Sequence, residues 1–193
     1  MLFRSAPRMR RHVQSFLQYS DRLCSLKIKT QGGKFGIVCA YAPHNLKPTD
    51  DKLKFYEDLS FVMGRLSVNG PKLVFGDLNA RIGQRQIGED DVLGDFCFGR
   101  IAQHQVDIPN RDLLLEWCQS LAMIIANTFC PQPQERLVTY HEPHVGPADP
   151  VSETGFAMLD FLLVGAHFQN HIRDVFSDRS AVLASHHFPV TAI

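Results

Sequence analysis

The sequence predicts an α/β sandwich, with mixed β-sheets inside and helices outside. Three observations carry that expectation. Strand-period and helix-period stretches are interspersed, with at least two strand–helix–strand passages of the kind that set neighbouring strands parallel. A hairpin-like stretch near the start adds antiparallel pairing, so the sheets are mixed. The 193 residues hold no repeat and no linker-like break, which fits a single core-forming unit.

The elements follow in order. Cys24, Leu26 and Ile28 alternate with Ser25, Lys27 and Lys29, the period of a half-buried strand over residues 22–30. Gln31-Gly32-Gly33-Lys34 reads as a turn, and residues 35–42 as a more buried strand that Pro43 stops, with Tyr41 at its end. Thr49, Asp50 and Asp51 supply a cap and first-turn charge for a helix with Leu53, Tyr56, Leu59, Val62, Met63 and Leu66 as its core stripe.

Asn69-Gly70-Pro71 breaks that helix and leads into Leu73-Val74-Phe75-Gly76-Asp77-Leu78-Asn79. On a strand Asp77 and Asn79 would share a face with Leu78 turned into the core, and Gly76 would leave the backbone open to a ligand. Residues 81–109 form a long segment of weak periodicity, a type of connection that is usually functional or mobile. Asn110 is expected to cap a second helix with Leu113, Leu114, Trp117 and Leu121 on one face. Residues 123–126 and 137–140 are expected to be short strands.

His141-x-x-His144 has the spacing of a zinc ligand pair, but with flanking prolines and no cysteine nearby the solvent-loop reading outweighs it. The apolar run of residues 156–164 is broken by Asp160 alone, and a carboxylate inside a buried strand is costly unless paired. Ser185-His186-His187-Phe188-Pro189-Val190 leads from a polar loop into a last short strand.

Composition bounds the partners. Hydrophobic residues at 45% and charged residues at 21% are those of a soluble globular protein. The 20 basic and 20 acidic side chains cancel, so no global field announces nucleic acid. Arg4, Arg8, Arg10 and Arg11 all precede the first acid, Asp21, which leaves the remainder net acidic; nucleic-acid binding would have to rest on local geometry and a metal ion. Residues 1–21 therefore read as a basic, poorly ordered lead, with a mitochondrial transit peptide as the alternative, and 22–193 as the domain. Five scattered cysteines without a CxxC pair point to a reducing intracellular compartment, nuclear or cytoplasmic. No apolar run approaches the roughly 18 residues of a membrane span, so no membrane partner is expected.

Tyr41, Asp77 with Asn79, Asp160 and His187 each fall in or at the end of an apolar strand, and one sheet edge can gather them into a phosphoryl-transfer set. Asp77 would polarise a water, Asn79 and Tyr41 would donate to phosphate oxygens, His187 would stabilise developing charge, and Asp160 would orient the imidazole and raise its pKa. The G-x-S-x-G elbow, the Walker loop and the Rossmann glycine pattern are all absent from the sequence.

Taken in order, Tyr41-Ala42-Pro43, Gly76-Asp77-Leu78-Asn79-Ala80, Asn127-Thr128-Phe129, Leu159-Asp160-Phe161-Leu162-Leu163-Val164 and Ser185-x-His187-Phe188-Pro189-Val190 resemble the endonuclease/exonuclease/phosphatase superfamily. Within it the series is most similar to the apurinic-type endonuclease domains of non-LTR retrotransposons and the craniofacial-development-protein-2-like proteins derived from them. The resemblance implies a DNase I-like, four-layered sandwich of two mixed β-sheets flanked by helices, and phosphodiester cleavage dependent on Mg2+ (or Mn2+). It also implies DNA as substrate, a nick with a free 3′-hydroxyl, Tyr41 and Asn79 on the scissile phosphate, Asp77 at the attacking water, and Asp160 paired with His187. Asn127 and Thr139 match weaker positions around the phosphate.

Two departures accompany the resemblance. No Glu precedes Glu57 and no Asn precedes Asn45, so the family's opening Asn strand and metal-binding Glu are not found, and the domain is expected to be incomplete at its N-terminus. Position 186, an Asp that helps hold metal in the family, is His186, a poor ligand for magnesium. An uncovered sheet edge with a tendency to aggregate is expected to follow. The readings that compete with a retrotransposon-type nuclease are a catalytically dead remnant that binds protein or nucleic acid, and a phosphatase or RNA exonuclease of the same superfamily.

Overall fold

The computed structural model describes residues 10–101, 107–181 and 183–193. Strands β1 (Val13–Gln18), β2 (Leu23–Thr30), β3 (Gly33–Tyr41) and β4 (Lys72–Asp77) are followed by β5 (Met123–Ile125), β6 (Tyr140–His141), β7 (Phe156–Ala157) and β8 (Asp160–Gly165). Six of them form one mixed sheet in the order β1-β2-β3-β4-β8-β5. β3 and β4 run parallel, joined through helix α1 (Thr49–Arg65), and every other neighbour pair is antiparallel. The mixed α/β class is therefore as the sequence predicts, and β2 and β3 form the expected hairpin, closed by Thr30 opposite Gly33.

The expectation of an unstructured lead over residues 1–21 fails at β1, which pairs along β2 from Val13–Ile28 to Gln18–Cys24. No alternation marks this strand, because Phe16 and Leu17 are adjacent apolar residues on an outer strand and are 48% and 49% exposed. Arg4 and Arg8 lie outside the described residues.

α1 and α2 (Asn110–Ser120) cover one face of the sheet. Leu59, Val62, Leu114 and Trp117 pack with Val38, Ala40, Val74 and Leu163 in the main core. Trp117 Nε1 donates to Ser60 Oγ at 2.8 Å and ties the two helices together. Neither helix has the expected side-chain cap: Pro48 and Pro109 precede them, and Asp50 and Asp51 act only as first-turn charge. Phe55 is buried where the stripe placed Leu53, which is exposed.

On the opposite face Ile124, Leu162 and Val164 meet Val175, Val190 and Ala192. These last three come from β9 (Val175–Ser177) and β10 (Val190–Ala192), an antiparallel ribbon. A second ribbon pairs β6 with β7. The second sheet of the expected sandwich is thus two short ribbons, joined by a bridge between Tyr140 and His187. Prolines account for the fragmentation: Pro143, Pro147 and Pro150 fill the β6–β7 connection, and Pro189, which cannot donate to a ladder, separates His187 from β10. The apolar run around Asp160 also divides. β7 ends at Ala157, and Asp160 is the first residue of β8 rather than an interior one, so its carboxylate sits at the sheet's rim.

Candidate functional site

Strand register builds the site. Tyr41 at the end of β3 lies opposite Asp77 at the end of β4, and Asp77 lies opposite Asp160 at the start of β8. Three neighbouring strands thus deliver a phenol and two carboxylates to one rim. His187 joins them from the other layer, held in place by its bridge to Tyr140 and by the Phe188 N–H donating to Thr139 O. Its Nδ1 is 2.9 Å from Asp160 Oδ2 and its Nε2 is 3.8 Å from Asp77 Oδ2. The first is a hydrogen bond and the second is beyond hydrogen-bonding reach, which leaves Nε2 facing the cavity. Tyr41, Asp77, Asn79 and His187 line one cavity of about 370 Å³ with His44, Arg81, Arg111, Tyr140 and Glu142.

 A separate, largely apolar cavity of about 390 Å³ lies at the other end of β4, lined by Met63, Lys72, Leu121 and Phe168.

The local geometry differs from the strand alternation expected of Asp77 and Asn79. β4 ends at Asp77, and a turn follows in which the Asn79 N–H donates to Asp77 Oδ1 at 2.8 Å. Asn79 has φ +48°, a left-handed conformation that asparagine tolerates better than most residues. Its Nδ2 donates to Ala42 O at 2.9 Å, which fixes the amide beside Tyr41. Leu78 is fully buried, as expected. Gly76 has a different role from the one expected: a Cβ there would stand 1.7 Å from Ala40 O, so the glycine serves the close approach of β3, not of a ligand.

Electrostatics follow from this crowding. Burial first, and then the neighbouring Asp160 charge, push the Asp77 carboxyl up from 3.8 to about 6, against the Asn79 N–H and His187, which pull it down. The hydrogen bond to Asp160 raises the His187 pKa; burial opposes it, and the charges of Asp160 and Asp77 add to the rise.

Asn127 was expected near the phosphate, but both of its polar atoms are committed to β8: Nδ2 donates to Asp160 O at 3.2 Å, and Oδ1 accepts from the Leu162 N–H at 2.8 Å. Thr139 Oγ1 accepts from the N–H groups of Leu159 and Asp160 at 2.9 and 3.0 Å. Both residues hold the start of β8, and so Asp160, in place.

Asn110, expected as a helix cap, donates instead from Nδ2 to Pro43 O at 2.8 Å and Asn79 O at 3.0 Å. It joins the loop after Tyr41 to the turn that carries Asn79. Lys52, also buried, donates from Nζ to Asn45 O and Ile108 O, and burial lowers its pKa. Sequence reasoning missed Arg81, Tyr140 and Glu142; the position of Arg81, two residues beyond Asn79, was the one available signal.

The donor chemistry fits a hard cation. Asp77 and Asp160 set two carboxylates side by side, Asn79 adds an amide oxygen, and the negative charge gathered there is part of what raises Asp77. Mg2+ is commonly held by one or two carboxylates, with water and substrate phosphate completing its shell. Among the described residues no group of three or more His, Cys, Asp or Glu side chains is placed to hold a metal ion. The expectation of His186 as a ligand is not met: its ring packs 4.9 Å from that of His141, and it does not line the cavity.

Known proteins share this arrangement of elements. No family model matches the chain. The catalytic domain of APE2 from Xenopus laevis superposes with a TM-score of 0.61 at 18% identity, covering 89% of this chain and 55% of that one. The 3′ phosphatase NExo from Neisseria, solved with a product DNA hairpin, gives 0.64 at 14% identity over 94% of this chain and 70% of its own. An AP endonuclease from Archaeoglobus fulgidus gives 0.60 at 19% over 94% and 69%.

The chain thus shares the fold of these proteins, the DNase I-like arrangement expected from the sequence. In sequence it is similar to craniofacial development protein 2 of Tragulus javanicus and Bos taurus, 27% identical over 124 residues. That match takes in 64% of this chain and 20% of the length of those relatives.

Proposed function

We propose that the chain is a divalent-metal-dependent phosphodiester hydrolase of the retrotransposon endonuclease type, nicking DNA to leave a 3′-hydroxyl. The observation that supports it most is the alignment of Tyr41, Asp77 and Asp160 at one rim, with His187 bonded to Asp160. The similarity to APE2, NExo and an AP endonuclease is in keeping with a nucleic-acid substrate.

Asp77, with its carboxyl poised near neutrality, takes a proton from water as the oxygen attacks phosphorus. The P–O3′ bond breaks, the 3′ oxygen gains a proton from solvent, and the phosphate stays on the 5′ side. His187, protonated and oriented by Asp160, faces the charge that builds on the phosphoryl oxygens from Nε2. Asn79 and Tyr41 donate to the same group and fix its orientation. A Mg2+ held by Asp77 and Asp160 would neutralise phosphate charge and favour ionised water.

Supercoiled plasmid with magnesium tests the reading, beside an Asp77→Ala control. Relaxed circles that DNA ligase reseals are expected, since resealing needs a 3′-hydroxyl beside a 5′-phosphate. Nicking no greater than the control's would end the catalytic claim. A second reading, binding of nucleic acid or protein without cleavage, is favoured by the packing of His186 on His141 instead of toward the carboxylates.

A further inference from the structure

Two arginines line the cavity, and their circumstances differ. Arg111 is 9% exposed and fully engaged: Nη1 and Nη2 pair with Glu89 at 2.8 and 2.7 Å, Nε donates to Ile82 O at 2.6 Å, and Nη2 reaches Gln84 O. It braces the long loop after Asn79 and has little left for a ligand. Arg81 is 34% exposed and gives Nη2 to Glu142 Oε1 at 2.6 Å and Nη1 to Phe156 O at 3.5 Å. A guanidinium has five N–H donors, so much of the Arg81 fork remains for the cavity.

Glu142 also acts on Tyr140, whose pKa is raised by burial and then by the Glu142 charge. The Tyr140 ring in turn lies 5.0 Å from that of His187. The Glu142 carboxylate fixes the guanidinium in position through Nη2 alone and leaves other N–H groups of the fork without a carboxylate. Fixing it in advance lowers the side-chain entropy lost when an anion binds.

We propose that Arg81, clamped by Glu142, holds the phosphate next to the one attacked, which makes the substrate a polynucleotide strand and not a mononucleotide or small phosphate ester. The assignment rests on the phosphodiester reading above. Tyr41, Asn79 and His187 surround one phosphate, while Arg81 lines the same cavity beside Tyr140 and Glu142. A guanidinium matches a phosphate with two parallel N–H donors, a geometry that lysine lacks.

The test is a titration of the full chain in magnesium-free buffer, followed by NMR, with thymidine trinucleotide as the probe. Its two linkages fix the number of phosphates, and either can be replaced by a neutral methylphosphonate. One charge-assisted contact predicts about tenfold tighter binding of the doubly charged trinucleotide than of either singly neutralised one. Arg81→Ala strands Glu142, so Arg81→Gln with Glu142→Gln is tested alongside it, a pair that keeps a hydrogen bond without charge.

Both variants are expected to bind the charged and neutralised trinucleotides alike. Wild-type discrimination in the folded double variant, or equal binding of both probes by the wild type, would overturn the assignment. The two claims fail separately: a chain that counts two phosphates but never nicks plasmid defeats the hydrolase reading and leaves Arg81 its role. One that nicks plasmid but ignores the second charge defeats Arg81 alone.

Discussion

His187 Nδ1 and Asp160 Oδ2 lie 2.9 Å apart, although 27 residues separate them in the chain. Through Nε2 the same ring faces Asp77 at 3.8 Å, so one imidazole spans both carboxylates. A charge change at any of the three is felt by the other two.

A bell-shaped rate profile follows. Activity should rise with pH through about 6, as Asp77 ionises, and fall where His187 loses its proton, above 6.5 because Asp160 holds that proton. Asp160→Asn removes the charge that raises both groups. Both limbs should therefore move to lower pH, with a lower maximum, in kcat/KM measured across the range. Limbs that stay in place would show that Asp160 acts on neither.

Stability falls with rising pH on account of both groups, in successive windows. The Asp77 carboxyl is raised in the folded chain, so stability is lost as pH rises from 3.8 through about 6. The His187 imidazole is also raised, and its contribution is complete below 6.5 and lost as pH rises through the folded value. Asp77→Asn should abolish nicking and yet stabilise the chain above pH 6 by about 1–3 kcal/mol. Urea denaturation at pH 5 and pH 7.5 checks this, with the gain expected mainly at the higher pH.

Asn110 should matter more than a helix cap would. Alanine there leaves the buried carbonyls of Pro43 and Asn79 without their donor. A loss of about 2–3 kcal/mol is expected, which lowers Tm by about 5–10 °C for a chain of this size. Because these bonds join the Tyr41 loop to the Asn79 turn, kcat should fall as well in the variant that remains folded at 20 °C. Thermal unfolding followed by circular dichroism, with nicking measured below the transition, gives both numbers.

The parts legible in the sequence were those governed by local pattern. Cys24, Leu26 and Ile28 marked β2, and the spacing from Tyr56 to Leu66 marked α1. The apolar approach to Asp77 marked β4, and motif order brought Asp160 and His187 to the same rim. β1 was not legible, since an outer strand with two adjacent apolar residues has no period to read. The roles of Asn127, Thr139 and Asn110 were hidden for another reason. Each acts through side-chain bonds to distant backbone, across 67 residues from Asn110 to Pro43, and such bonds leave no spacing along the chain. The pairing of Arg81 with Glu142, 61 residues away, is of the same kind.

Asn79 joins a conformational requirement to a chemical one, and substitution separates them. Its φ of +48° suits asparagine or glycine, while its amide holds Ala42 O and presents the rest of the group to the cavity. Asn79→Gly keeps the backbone and loses the amide; Asn79→Ala loses the amide and adds left-handed strain of about 1–2 kcal/mol. Both variants should lose activity to a similar extent, at least tenfold, because neither can donate to the phosphate. Only alanine should lower Tm markedly below glycine, by about 2–6 °C. Equal Tm values would mean that the turn relaxes out of its left-handed conformation, and activity retained in either variant would remove Asn79 from the set of groups that touch the substrate.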